Sequence, residues 1–468
     1  MSTISAAAFW AFLLIYGITM YLVSPRSRGA RAFFRGADSH GRPVGGGTLA
    51  ASIFISWIFA KSVTNAANLG AEYGLVGGLA YATYWLSIPF AGVVIYRIRT
   101  TTGARSLAGF LASRYGRTAS LGFFVAILIR LYNEVWSNSA VVGSYFGAPG
   151  EFAYYAAALL FTVFTLAYSL KGGLRGSIVT DLIQAVVFVT FITAVLLLFL
   201  PRDGADSLVA SGKYSLRGGM DLLLVAGLQI FSYPFHDPVL TDRGFVNDEK
   251  RMRLAFTVAG LVGFLAILAF SLVGVHARLN AIAIADNAPA AVGRAVGVGA
   301  YFLMSIVMIT SAGSTLDSTF TSLSKALAVD LPSLARRKPA SRPKPRTGAW
   351  AMIVFAVLGS LPLFTGAAIL KATTVSGTMV MGLAPVFLLS GFTRHSPWSF
   401  HLSFWPGVVL GVLMALDALP RALAIGNGDY AMLLGVNAWG LCLCTAGFLL
   451  PLAGGALSAW RARVEQAA

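Results

Sequence analysis

In the stretch Met308–Ser324, Ser311, Ser314, Thr315 and Ser318 fall at i, i+3, i+4 and i+7, so one helix face would carry four hydroxyls with Asp317 beside them. Hydroxyl, carboxylate and carbonyl oxygens are the ligands a hard cation takes. Serine and threonine also join helices by hydrogen bonds, and the stripe alone fits either use. A second group lies in Ala50–Gly74, where Lys61, Ser62, Thr64, Asn65 and Asn68 follow an apolar first half. A helix broken near its middle could hold them, with unwound carbonyls on a cation and side chains on a solute. They could equally bond to neighbouring helices.

Two further groups carry charge. Gly172–Gln184 puts Asp181 about one turn inside an apolar run, where a carboxylate must be protonated, matched by a cation, or paired, with Arg175 as one partner. In Ile127–Asn138, Arg130 and Glu134 are spaced i,i+4 and could neutralise each other, leaving Lys61 free. Alternatively Glu134 pairs with Lys61 and Arg130 becomes a carboxylate clamp, which its fork geometry suits. Asn133, Trp136 and Asn138 could line the same cavity, and Gln229, Phe231 and Tyr233 would complete it. His236 and Asp237 read as gate or structural groups.

The elements that must position these residues are set by composition. Of 468 residues 57% are hydrophobic and 11% charged, with mean hydropathy +0.75, against about 45–50% and about 25% in soluble domains. Spans need roughly 20 apolar residues. Thirteen stretches qualify, near 4–24, 47–73, 77–96, 118–146, 153–170, 177–200, 219–241, 254–276, 295–327, 349–369, 375–392, 403–419 and 430–452. The first lacks a basic leader and a cleavage motif, so it is expected to remain as a span. Alternate loops and the C-terminus hold 25 of the 35 basic residues, so the net charge of +17 reads as membrane orientation rather than nucleic-acid binding. The expectation is an integral multi-pass protein of the cell's inner (plasma) membrane, N-terminus outside and C-terminus cytoplasmic. Arg336–Arg346 reads as a solvated loop beside anionic lipid. Cys442 and Cys444 read as lipid-facing or packing residues, and Gly45–Gly47 lacks the Lys-Ser/Thr of an ATP-binding loop.

The span around Ser56–Gly74 ending Gly-Ala-Glu-Tyr-Gly, the run Gly172-Gly-Leu-Arg…Thr-Asp-Leu-Ile-Gln184, Tyr233-Pro-Phe-His…Thr-Asp-Arg-Gly-Phe245 and Ser314-Thr-Leu-Asp-Ser318 occur in order over roughly 47–330. Together they resemble the sodium:solute symporter family, relatives of the sodium/proline and sodium/glucose transporters. The resemblance implies an all-α polytopic membrane protein of about 13 transmembrane helices with a 5+5 inverted-repeat core of the leucine-transporter type. Residues 1–46 would be an extra helix and loop, 47–200 and 201–393 the two five-helix repeats, and 394–468 two C-terminal helices and a short tail. One sodium ion would be held by the Trp57, Ala60 and Ser311 carbonyls and the Ser314 and Thr315 hydroxyls. A second cation would use Asp181, Asp317 and Ser318, where Asp317 could instead bind a proton.

Lys61 departs from the pattern, standing where proline-transporting relatives carry a small polar residue. It could meet an anionic solute, replace the charge of a coupling ion, or form a buried pair with Glu134 or Asp317. The expected substrate-binding set is Lys61, Asn65, Arg130, Asn133, Glu134, Gln229 and Tyr233. The expected activity is sodium-coupled symport of a small polar organic solute by alternating access, with the bilayer as surroundings and no organic cofactor, nucleic-acid partner or enzymatic step. The alternatives are proton-coupled or uncoupled transport by the same fold, or a transporter-like solute sensor.

Overall fold

The computed structural model describes residues 3–38, 40–335, 343–365, 376–391 and 396–467, and among these there is no β-strand. In hydrocarbon a backbone N–H or C=O without a partner costs several kcal/mol, so apolar runs of this length close their hydrogen bonds within helices. The helices that position the site are α1 (Thr3–Val23), α2 (Gly46–Ser56), α3 (Ala60–Tyr73), α4 (Leu75–Ala82), α5 (Ser87–Thr102), α6 (Arg117–Gly143), α7 (Phe152–Asp203), α8 (Met220–Gln229) and α9 (Pro238–Thr241). They are followed by α10 (Glu249–Leu279), α11 (Val298–Lys325), α12 (Pro345–Ser360), α13 (Leu383–Leu388), α14 (Pro397–Ala415) and α15 (Ala431–Ala467). Large apolar side chains such as Ile15, Val186, Leu265 and Val357 are exposed, whereas the hydroxyls of α11 are buried. This inside-out polarity is that of a bundle in lipid.

Among the described residues nine helices are long and apolar enough to cross a membrane, and the pair α2 and α3, bent by 60°, makes a tenth. The spans expected at 153–170 and 177–200 run together as α7, whose apolar part Phe152–Leu198 has 47 residues, roughly 70 Å at 1.5 Å per residue and enough for two crossings. The helix turns at Gly173, with φ 53° and ψ −153°. A side chain there would meet the Phe33 carbonyl oxygen at 2.6 Å. The span expected at 219–241 is discontinuous: α8 stops at Gln229, a tight turn covers Tyr233–His236, and α9 restarts at Pro238. Pro234 and Pro238 lack the N–H a continuous helix would use, and Asp237 caps α9 by accepting from the Val239 N–H at 3.0 Å. The start of the span expected near 375–392, and Arg336–Arg342 of the basic loop, lie outside the described residues.

α11 packs along α7, and α10 along α3. Glycine permits the second contact: a Cβ on Gly274 would lie 1.7 Å from the Ala67 carbonyl oxygen, and one on Gly70 2.3 Å from that of Ser271. Small residues let transmembrane backbones approach in this way. Gly274→Ala is expected to push α10 off α3 and lower stability by roughly 1–3 kcal/mol. Gly227→Ala, where nothing lies within 4 Å, should leave the thermal midpoint of the purified protein unchanged or raised. Equal midpoints for the two variants would contradict the close crossing.

Candidate functional site

The α2/α3 break falls at Trp57-Ile58-Phe59, a sequence with neither proline nor glycine. Helix termini leave backbone groups without intrahelical partners, and here three neighbours supply them or anchor the turn. Asn138 Oδ1 of α6 accepts from the Ala60 N–H at 3.3 Å. Thr315 Oγ1 of α11 donates to the Ser56 carbonyl at 3.2 Å. The Trp57 indole N–H donates to Asp237 Oδ2 at 2.9 Å, tying this break to the one before α9.

Around the tie lies a lattice of buried charges. Lys61 Nζ is 2.7 Å from Glu134 Oε1, Arg130 also pairs with Glu134, and the other arm of Arg130 reaches Asp237 Oδ2 at 3.0 Å. Asn138 Nδ2 donates to the second Glu134 oxygen at 2.9 Å. The Phe59 ring lies beneath both cations, 5.4 Å from Lys61 Nζ and 4.9 Å from the Arg130 guanidinium. Two cations and two carboxylates thus balance within one buried cluster. Both pairings considered for Glu134 occur together, and the carboxylate that Arg130 clamps belongs to the protein.

The second cluster is unbalanced. Asp181 Oδ1 accepts from Ser314 Oγ at 2.5 Å, and its Oδ2 from Ser52 Oγ at 2.5 Å and from Arg243 at 2.8 Å. Arg243, rather than Arg175, is therefore its charged partner. The guanidinium also donates to Ser52 Oγ at 2.8 Å and to Ser318 Oγ at 2.7 Å. Asp317 has hydroxyl partners, Ser177 at 2.7 Å and Thr180 at 2.9 Å. Of the two buried carboxylates Asp181 has the guanidinium and Asp317 has hydroxyl partners, which leaves one negative charge for a cation or proton to meet.

The hydroxyl stripe of α11 faces the α2/α3 break, and Ser311, Ser314, Thr315 and Ser318 are all buried. The carbonyl that meets Thr315 is that of Ser56, one residue before Trp57, while the Ala60 carbonyl accepts from Thr64 Oγ1 at 3.1 Å within α3. Asp181, Asp317 and Ser318 come together, but the Arg243 guanidinium stands between Asp181 and Ser318. Among the described residues no group of three or more His, Cys, Asp or Glu could hold a metal ion.

The expected substrate-binding residues divide among several places. Tyr233 lines a narrow cleft of about 20 Å³ with Trp57, Tyr81, Tyr84 and Trp85, room for about one water. Lys61 and Asn65 line a cavity of about 960 Å³ that extends to the 281–287 loop. Arg130 and Asn133 face a third cavity, of about 290 Å³, between α6 and α14. Glu134 lies within the charge lattice, and Gln229 bridges Tyr84 and Asn437 at 2.9 Å each. Sequence reasoning missed Ser52, Ser56 and Arg243. Ser52 and Ser56 stand i,i+4 in the apolar half of their span and Arg243 lies in the Thr-Asp-Arg-Gly-Phe motif, so the signals were present without a partner to point to.

Removing one member of a buried ion pair leaves the other charge uncompensated, at a cost of roughly 3–5 kcal/mol. Arg243→Gln is expected to lower stability by about that much. Adding Asp181→Asn in the same chain should recover part of the loss, giving a coupling of roughly 0.5–3 kcal/mol. Thermal or denaturant unfolding of the four proteins checks this, and additive losses would contradict the pairing.

Residues 39–230 match the family model of the sodium:solute symporter family. Over 199 residues, 41% of the chain, the sequence is 27% identical to a urea-proton symporter of Oryza sativa subsp. japonica. Over 186 residues, 37% of the chain, it is 25% identical to the sodium/pantothenate symporter of Escherichia coli (strain K12). The matched stretches cover 26% and 37% of those two relatives' own lengths. In structure, 96% of the chain superposes on 98% of a Na+-coupled sialic acid symporter in a substrate-bound outward-open state, with TM-score 0.70 and 16% identity. A nucleobase-cation-symport-1 family transporter in a closed conformation matches with TM-score 0.58 and 13% identity over 89% of this chain and 94% of that one. Across its first spans the chain is similar in sequence to the sodium:solute symporter family, and along nearly its whole length it has the leucine-transporter-type fold of the transporters it superposes on.

Proposed function

We propose that the chain is a secondary active transporter that carries a small polar organic solute with a cation, sodium in the first instance, by alternating access. The observation that carries this is the meeting of a broken helix with a hydroxyl stripe: Ser56 carbonyl, Ser314 and Thr315 hydroxyls and, through Ser314, the Asp181 carboxylate, all buried at one point of the bundle. Such a convergence of oxygens suits a hard cation. The family match and the sodium-coupled relatives support the same ion. The halves 47–200 and 201–393 would act as inverted repeats, with the N-terminus outside and the C-terminus cytoplasmic, as the basic loops require. Each charge moved inward down 100 mV then contributes about 2.3 kcal/mol to uptake.

A second coupling ion has its own support. Arg243 pairs with Asp181, while Asp317 is held by hydroxyls and retains a charge that a proton could neutralise, and one relative is named a urea-proton symporter. Sodium chloride, compared with choline chloride at equal ionic strength, is expected to raise the thermal midpoint of the wild-type protein, because an ion that binds the native state alone stabilises it. Ser314→Ala with Thr315→Ala should remove that rise while leaving a folded protein; persistence of the rise would overturn the site. In proteoliposomes, uptake of solutes that stabilise the protein should follow an imposed sodium gradient. Uptake that follows a pH gradient alone, and is lost in Asp317→Asn, would assign the proton instead.

A further inference from the structure

The largest cavity among those described around the site, about 960 Å³, is lined at its inner part by Lys61, Thr64, Asn65 and Asn68. The remaining charges on its wall, Glu72, Arg278 and Asp286, lie further along the chain from Lys61 or on the 277–287 segment. There Arg278 donates to the Ala71 and Glu72 carbonyls, at 3.1 and 2.6 Å, and Asn68 bonds to the Asp286 carbonyl at 2.8 Å. The charged group at the inner part is therefore Lys61, and its ammonium is turned to Glu134 with 1% of the side chain exposed. Behind it Glu134 is shared with Arg130, and Arg130 with Asp237.

We propose that this lattice fixes the charge of the transported solute at zero, with Lys61 and Glu134 as its specificity-determining residues; this rests on the solute-carrier function proposed above. A solute carboxylate entering beside Lys61 must compete with Glu134, which already holds the ammonium at 2.7 Å and has Asn138 on its other oxygen. A solute ammonium beside Glu134 must displace Lys61 and meet Arg130. Either charge would be desolvated without gaining a free partner, whereas an uncharged polar group loses little and finds Thr64 and Asn65. The anion-binding role weighed for Lys61 from the sequence is thus taken up by the protein's own carboxylate.

Charge balance makes the inference reversible by single substitutions. Glu134→Gln leaves Arg130 paired with Asp237 and frees Lys61, so the cavity floor becomes cationic. Lys61→Met leaves Glu134 and Asp237 sharing Arg130, so the floor becomes anionic. Three probes of one carbon skeleton, propionamide, propionate and propylammonium, are compared at equal ionic strength by thermal midpoint of the purified full-length protein.

The wild type is expected to be stabilised by propionamide in preference to either ion. Glu134→Gln should gain about fivefold or more in apparent affinity for propionate and Lys61→Met the same for propylammonium. The double variant, neutral again, should show neither gain. Should one single variant fail to fold, the other single variant and the double variant still decide the matter. Stabilisation of the wild type by propionate that disappears in Lys61→Met would overturn the proposal, as would an unchanged order of the three probes in the variants. The sodium-dependent rise in midpoint is read on the same samples. Its absence alongside crossed probe preferences would count against sodium coupling and leave this inference standing, whereas a normal sodium response with uncrossed preferences would remove the inference alone.

Discussion

A helix interrupted inside an apolar medium exposes N–H and C=O groups that water cannot reach, and the structure is organised around meeting that demand at Trp57–Phe59. Asn138 takes the Ala60 N–H, Thr315 takes the Ser56 carbonyl, and Asp237 holds the Trp57 indole. These three residues come from α6, α11 and the turn before α9. The break thereby fixes where three other elements must lie, and each of the polar clusters grows outward from one of these contacts. Nothing local to Trp-Ile-Phe forbids a helix; tertiary partners replace the i→i−4 bonds that the continuous helix would have made.

The two clusters answer the cost of buried charge differently. In the Lys61–Glu134–Arg130–Asp237 lattice every charge has an opposite neighbour, so desolvation is offset internally and no ion is called for. Around Asp181 and Asp317, two carboxylates stand against one guanidinium, which pairs with Asp181, and serine and threonine hydroxyls from three helices complete the coordination. Hydroxyls can reorient to accept as readily as to donate. The same atoms that now donate to Asp181 could turn lone pairs to a cation without a change of backbone. Balanced charge favours a fixed structure, and unbalanced charge among rotatable hydroxyls favours exchange of a small ion.

Much of this was legible in the sequence. The helical class followed from long apolar runs, and the α11 stripe followed from spacing, because a period of 3.6 places Ser311, Ser314, Thr315 and Ser318 on one face whatever they contact. The order of motifs indicated the family. What the sequence withheld was partnership across distance. Arg243 was visible in a motif, yet its reach to Asp181, 62 positions earlier, depends on where the turn after α9 is placed by the fold. Glu134 could be assigned to Lys61 or to Arg130 by spacing, and three-dimensional packing allows both at once. The expected single substrate pocket was drawn from helix faces alone. Lys61 and Asn65 of α3 instead line one cavity and Arg130 and Asn133 of α6 another, with Trp136 on the wall of both.

One helix pair belongs to both clusters. Ser52 and Ser56 of the α2 half touch Asp181 and Thr315, while Trp57, Ala60 and Lys61 at and after the break touch Asp237, Asn138 and Glu134. Ten positions of chain therefore connect an ion-seeking cluster to a charge-balanced one. A cation that drew the Ser56 carbonyl toward itself would compete with Thr315 for that oxygen, and the Trp57 indole one residue on would have to follow or release Asp237. Releasing Asp237 unbalances Arg130, which shares Glu134 with Lys61 at the cavity floor. Occupancy on one side of the break would then change the electrostatics on the other, since the residues of both clusters are buried and weakly screened, and the broken helix supplies a physical route by which an ion and a solute can report on each other.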